Sequence, residues 1–329
     1  MINKLLSVKA ILIILFLLIN LFSYSQLKWQ NVDSIYQPLP SSMHVYFTND
    51  QPDTGAFRAF YLIADIKDKH LHFTTDTTYK RRLTPSQFFT KNNAPIVVVN
   101  GTFFSFETNQ NLNVVIKDGK LVSYTAPIKG RGKDTLTYIH AFKGAIGINK
   151  KRNADIAWEY SDSSKQFSFA SQSQFPAIKD SNSKTNFKKI ISQTNITSHN
   201  TSLQSFKKWK MQTAIGGGPV VLQNGKIMVT NNEERMFSGK AINDKHPRTA
   251  MGYTKDNKLI ILVIEGRNPN AHGATLTQEA QIFKDLGCIE ALNLDGGGSS
   301  CLLINGKETI KVSDKTQRPV PAVFLIHRN

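Results

Sequence analysis

The chain has 329 residues, with 41 lysines and arginines against 24 acidic residues and a formal net charge of +17. That length suits one large domain or two small ones, and the charge favours an anionic partner such as a phosphorylated glycan, a wall polymer or lipid head groups. With no RNP-like aromatic motif and no zinc-finger spacing, the charge is not read as a nucleic-acid footprint.

In chain order, residues 1–25 come first, with Lys4 and Lys9 preceding an apolar run from Ala10 to Phe22 and small residues at Ser23 and Ser25. This is the layout of a secretory signal cleaved near Ser25, which places the mature protein outside the cell or in the periplasm. The run of about 13 residues is short for a membrane span, and no other stretch is apolar enough to cross a bilayer. Removing Lys4 and Lys9 from a segment without acids lowers the charge from +17 to +15. Residues 26–329 are read as a single domain.

The mature part reads as strands with few helices. β-rich runs occur at 43–47, 57–65, 70–75 and 95–100, and "NVVIKDGKLVSY" (113–124) carries Asp118-Gly119 between two strands. Asn224-Gly225 and Asn305-Gly306 repeat that hairpin signal. Two helices are expected. "TPSQFFTK" has Thr84 as cap, Pro85 at the first position and Gln87 completing a capping box, while "TLTQEAQIFKDLG" has Thr275, Gln278 and a stop at Gly287. The strand at 258–266, the second helix and a strand at 289–295 form one β-α-β unit, expected to lay its strands parallel. Residues 160–208 are rich in Ser, Asn, Gln and Lys and read as a polar, loop-rich insertion. Within it, "NFKKIISQTNI" (186–196) and "LQSFKKWK" (203–210) suggest short amphipathic helices anchored by Trp209. The fold class is therefore α+β, a mixed, largely antiparallel sheet with glycine-rich loops converging on a site. In a hairpin turning near Gly296–Gly298, Cys301 faces Leu292 or Asn293, so Cys288 and Cys301 are read as two buried thiols.

Five stretches join an apolar run to glycine and a polar side chain: "VVVNGTFFS" (97–105), "AIGGGPVV" (214–221), "HPRTAMGY" (246–253), "LVIEGRNPNAHGATLT" (262–277) and "LNLDGGGSS" (292–300). One such loop is an ordinary turn, but five in one chain point to a site. In this order they resemble the phosphodiester glycosidase family, with "NGTFF", "AIGGGP", "RTAMG" and "ALNLDGGGSS" carrying the likeness and "RPVPAVF" resembling its closing strand, over about residues 90–326. The resemblance implies a hydrolase that cleaves a sugar from a phosphodiester, releasing the sugar and a phosphomonoester, without an organic cofactor or an assigned metal. One departure stands out: Glu265-Gly266-Arg267 occupies the place where the family more often has Asp-Gly-Arg.

The residue types fit that chemistry. Glycosyl transfer to water usually needs two carboxyl groups, and Asp295 and Glu265 are the candidates. A phosphate leaves as a stable anion, so it needs positive charge, which Arg248, Arg267 and Arg318 can supply. Backbone N–H groups of Gly216, Gly217 and Gly218 and of Gly296, Gly297 and Gly298 can face phosphate or sugar oxygens. Asn100, Thr249 and Ser299 complete the candidate substrate-binding set, Asn100 through a sugar hydroxyl. Alternatives stay open at this stage. Asp295 could brace a turn or ligate a metal with Glu265 and Asn293, and the phenylalanines at 103, 104 and 106 are read as core, with one of them lining the sugar site as the alternative. The whole chain could be a non-catalytic glycan- or phosphate-binding module, or a metal-dependent phosphodiesterase that cuts phosphorus–oxygen.

Overall fold

The computed structural model describes residues 26–130, 135–161, 168–181, 183 and 206–329. The expected signal segment and the amphipathic helix at 186–196 lie outside the described residues, as does most of the polar stretch around them.

Both expected helices form where their caps placed them. Thr84 accepts from the Gln87 amide at the start of Pro85–Lys91, and Thr275 accepts from the Gln278 amide at the start of Leu276–Asp285. In each case the glutamine side chain returns the bond, satisfying two amides that a helix start leaves unpaired. The three two-residue turns also form. Asp118, Asn224 and Asn305 take φ of 51°, 51° and 49°, and the glycine after each is positive too. That double left-handed turn matches the twist of the strands it joins.

Every pairing between the named strands is antiparallel, in an eight-stranded, a seven-stranded, a five-stranded and a three-stranded sheet. The eight-stranded sheet has Ala59–Asp65, Lys258–Ile264, Arg248–Thr254, Cys288–Asn293 and Val220–Gln223 at its centre. The five-stranded sheet centres on Val97–Asn100, between Leu302–Ile304 and Ala322–Arg328. Alternation along the strands packs the layers. Met251, Ile261, Val263 and Leu292 join Val97, Val99 and Phe324 in a core shared by the sheets, with Ile146 and Trp158 from the seven-stranded one. Their neighbours Ala250, Leu262 and Ile264 face the helix Leu276–Asp285, and Val98 and Val323 face Phe88 of the helix Pro85–Lys91. Each fully buried aliphatic or aromatic side chain contributes roughly 1.5–3 kcal/mol relative to exposure, so strand periodicity fixes which face points inward.

The strands on either side of the second helix both pair antiparallel with Arg248–Thr254, which lies between them, so they run parallel to each other without pairing directly. Two expectations need correction. The run 292–301 is not a hairpin, because Cys288–Asn293 belongs to the eight-stranded sheet and Leu302–Ile304 to the five-stranded one. The Gly296–Gly298 turn therefore carries the chain from one sheet to another. Finally, Lys207–Lys208 is a strand and not part of a helix; it pairs with Phe169–Ser171 and extends the seven-stranded sheet into the segment read as an insertion. Trp209 is buried and donates from Nε1 to Asp155 at 2.6 Å. Cys288 and Cys301 are free, buried thiols, pushed well above the ordinary thiol range by burial. Among the described residues, no helix is long and apolar enough to cross a membrane.

Candidate active site

Asp295 stands at the crossover between the two sheets, and its neighbours are tied down on every side. Its amide donates to the Gly101 carbonyl at 3.0 Å, and the Leu294 amide donates to Thr249 O at 2.8 Å. The Gly297 amide donates to Pro247 O at 2.8 Å. At the centre lies Asn100, fully buried. Its Nδ2 donates to Asp295 O at 2.6 Å, while its Oδ1 accepts from Thr249 Oγ1 at 2.8 Å and from the Cys301 amide at 3.0 Å. Asn100 and Thr249 thus stitch the "NGTFF", "RTAMG" and "LDGGGSS" stretches together. They hold the Asp295 loop, and Asn100 is committed to it instead of facing a sugar hydroxyl, the task the sequence suggested for it.

The Asp295 side chain is held differently. One oxygen, Oδ2, is buried without a hydrogen-bond partner among the described residues. Burial pushes its carboxyl up to about 7, against the opposing effects of a hydrogen bond from Ser299, the Arg318 charge and the Gly296 amide. Arg318 is fixed from behind by Asp314, whose Oδ2 accepts from Nε at 2.9 Å and from Nη2 at 2.8 Å. Its Nη1 reaches Ser299 Oγ at 3.4 Å. A Cβ on Gly298 would lie 2.0 Å from Arg318 Nη2 and 2.5 Å from Asp314 Oδ2, so glycine is what lets the guanidinium lie on the backbone.

Arg267 lies against the same turn from another side, with Nη2 only 3.0 Å from the place a Gly297 Cβ would take. It is exposed, takes φ of 62°, and its Nη2 donates to His246 Nδ1 at 3.3 Å. Burial and the charges of Arg248 and Arg267 hold His246 below the usual imidazole range. Arg248, by contrast, is buried beneath the turn: Nε donates to Ala274 O at 3.0 Å, and Glu279 Oε2 stands 3.9 Å away. Glu279 is fully buried with no hydrogen-bond partner for either oxygen among the described residues, and burial raises it to about 8 despite Arg248. Arg248 therefore supplies charge from below, while Arg267 and Arg318 present theirs at the surface.

Two sequence candidates take other tasks. Glu265 is buried, but Oε1 accepts from Asn268 at 3.1 Å and Oε2 from the Lys311 amide at 3.1 Å, with Arg58 at 3.5 Å. Among the described residues it shares no hydrogen-bond partner with Asp295; it anchors the start of the segment that carries Asp314 and Arg318. The amides of Gly216, Gly217 and Gly218 donate to the carbonyls of Val114, Gly144 and Asn293 at 2.8, 3.0 and 2.8 Å, which leaves none for an anion. Gly218, at φ 134°, lies against Glu234, which accepts from the amides of Gly144 and Val220 and from Trp158 Nε1. This stretch is scaffold for the strand that leads to Asp295. Among the described residues no three His, Cys, Asp or Glu side chains stand together as a metal-holding group, and Asn293 Nδ2 is tied to Gly218 O and Leu294 O while its Oδ1 is buried without a hydrogen-bond partner.

Sequence reasoning passed over Asp314 and Glu279, since nothing local distinguishes either from a surface acid. It read Phe103, Phe104 and Phe106 as core with one of them alternatively lining the sugar site; Phe104 is buried, whereas Phe106 is 64% exposed.

A family model described as phosphodiester glycosidase matches residues 93–327. An uncharacterized prophage-derived protein, YomE of Bacillus subtilis, is 40% identical over 92 residues, covering 28% of this chain and 14% of that protein. Mouse N-acetylglucosamine-1-phosphodiester alpha-N-acetylglucosaminidase is 28% identical over 122 residues, covering 32% of this chain and 23% of the mouse enzyme. The chain thus spans less than a quarter of the length of these relatives. Among solved structures, the catalytic domain of the zebrafish enzyme of that name, auto-inhibited by its pro-peptide, superposes with a TM-score of 0.56 at 19% identity, over 92% of this chain and 89% of that one. That likeness speaks for the fold, and the matched residues include all five glycine-bearing stretches. The chain belongs to the phosphodiester glycosidase family.

Proposed function

We propose that this chain hydrolyses a glycosyl-1-phosphodiester, releasing a free sugar and a phosphomonoester. The observation that carries the reading is Asp295, a carboxyl raised to about 7 beside a glycine turn flanked by two accessible arginines. A group poised near neutral pH can both accept and return a proton, which is what a general base needs. In this reading Asp295 takes a proton from a water that attacks the anomeric carbon. The bond from that carbon to the phosphate oxygen breaks, and its electron pair leaves on the phosphate. The leaving anion needs charge more than it needs a proton, and Arg267 and Arg318 supply it across the turn. Arg248 adds charge from below, Asn100 and Thr249 position the loop, and Glu265 braces the segment bearing Arg318.

The basic composition supports an anionic glycan as substrate, and the N-terminal 25 residues support a secreted or periplasmic protein. The test is a panel of glycosyl-1-phosphodiesters varied in sugar, following free sugar. Release from at least one member supports hydrolysis. If no member releases sugar, the chain is a glycan- or phosphate-binding module that keeps the architecture without turnover.

A further inference from the structure

Exposed apolar side chains are concentrated beside the candidate site. Tyr79 is 79% exposed, Phe106 64% and Tyr124 43%, and all three lie on or against the loop that follows Asn100. Large rings left in water at neighbouring positions mark a binding surface more often than chance. Phe106 stands at the tip of that loop, where Asn109 donates back to Ser105. Two guanidiniums flank its ring, Arg82 at 5.1 Å and Arg318 at 5.6 Å from the centroid. Arg318 is the same residue that reaches Ser299 beside Asp295, so the ring adjoins the candidate site.

Beyond Phe106 the surface continues as a cleft. The segment carrying Tyr79, Lys80 and Arg82 runs alongside the loop, with Asn111 Nδ2 donating to Thr77 Oγ1 at 2.9 Å and Leu83 bridging to Val320. Between this segment, the loop and Tyr124 lies a cavity of about 310 Å³, lined by threonine, asparagine and glutamine groups as well as the two tyrosines. Among the described residues its one charged wall residue is Lys80, whose Nζ stands 5.2 Å from the Tyr79 ring, and no carboxylate lines it. The volume suits a small ligand.

Three features define the occupant. Flat rings attract the polarised C–H face of a sugar through their negative π surface. Hydroxyl and amide groups around them match an oxygen-rich ligand. Lys80, Arg82 and the chain's excess of cations call for negative charge. We propose that Phe106 and the Tyr79–Tyr124 cleft bind successive sugar units on the far side of the phosphodiester, with Arg82 and Lys80 taking charges carried along that chain. The preferred substrate is then an oligomeric anionic glycan and not a single sugar on a small alcohol. This rests on Asp295 as the site of cleavage, but the binding itself can be measured without turnover.

The experiment compares wild type, the double variant Tyr79→Ala/Tyr124→Ala, Phe106→Ala and the control Ile35→Ala, which removes another exposed apolar side chain elsewhere. Each is titrated on an array of phosphodiester-linked oligosaccharides of differing sugar, with linear polyphosphate as an anion that has no sugar ring. Expected is a loss of about tenfold in affinity for the double variant and for Phe106→Ala, none for the control, and weak binding of polyphosphate. Where turnover is found, kcat/KM for an oligomer relative to that for a short alkyl phosphodiester should fall by about the same factor. Equal affinity of all four proteins, no binding to any array member, or polyphosphate binding as tightly as the glycans would overturn the proposal. Failure of turnover alone, with the affinity loss intact, strikes the reading of Asp295 and leaves the cleft standing.

Discussion

Gly216–Gly218 and Gly296–Gly298 have the same composition and follow similar apolar runs, yet they do opposite things. The first commits all three amides to backbone carbonyls and presses against the strand that leads to Asp295. A Cβ on Gly217 would come within 2.4 Å of Asn293 O and 3.2 Å of Leu294 Cα, both backbone atoms that cannot swing aside. Two positions of the second turn meet side-chain ends instead: the Arg267 guanidinium over Gly297, and Arg318 with Asp314 over Gly298. Gly217 lets two backbones approach; Gly297 and Gly298 let charged groups lie on a backbone. The chemistry a glycine run serves is decided by what comes close to it.

Substitutions at Gly217 and Gly298 separate the two roles, since neither has a positive φ and alanine is compatible with both backbone conformations. At Gly298, alanine displaces Arg318 from the turn, and a charge misplaced by about an ångström costs on the order of 100-fold in kcat/KM. Thermal unfolding of Gly298→Ala should stay near wild type. If its activity is normal, the turn has no part in binding the phosphate. Gly217→Ala forces strands apart and is expected to lose about 2–4 kcal/mol in denaturant unfolding. Unchanged stability there would remove the scaffold role.

A smaller effect concerns Ser299, whose hydrogen bond favours the charged form of Asp295. Removing it in Ser299→Ala raises that carboxyl further above about 7. For a base, activity rises through its pKa, so the rising limb of the kcat/KM profile should move to higher pH. A limb that stays in place, or moves down, assigns it to another group.

The smallest effect lies away from the turn. Glu279 is raised from 4.5 to about 8 in the folded state, so between those values the folded chain keeps a proton that the unfolded chain has lost. That contribution is fully present below about 4.5 and fades as pH rises through about 8. Glu279→Gln should flatten the fall in stability over this window, as read by urea unfolding at several pH values. An unchanged slope would mean that Glu279 is ionised throughout.

How much of this was legible beforehand follows from the range of each signal. Thr84, Thr275 and the three hairpin dipeptides act within four residues, and their elements form as read. The strands Lys143–Asn149 and Ala154–Tyr160 went unread, partly because Gly144 and Gly147 interrupt the first where Leu292 and Met211 pack against it. Asp295, Arg267 and Arg318 could be nominated from chemistry and come together around one turn. The knot at Asn100 could not, because its partners lie 149, 195 and 201 residues away. Nor could the crossover: a run that looks like a hairpin joins two sheets when each half finds a better long-range partner. Glu265 shows the remaining limit, since a buried carboxylate next to a site can hold a loop as readily as it can move a proton.

The most direct measurement is hydrolysis of a released-sugar substrate in ¹⁸O-labelled water by wild type and by Asp295→Asn. With Asp295 as base at the anomeric carbon, the label enters the sugar and not the phosphate. The variant folds and binds substrate but loses on the order of 10³-fold in kcat. Label in the phosphate, or an Asp295→Asn variant that turns over at the wild-type rate, would contradict the account.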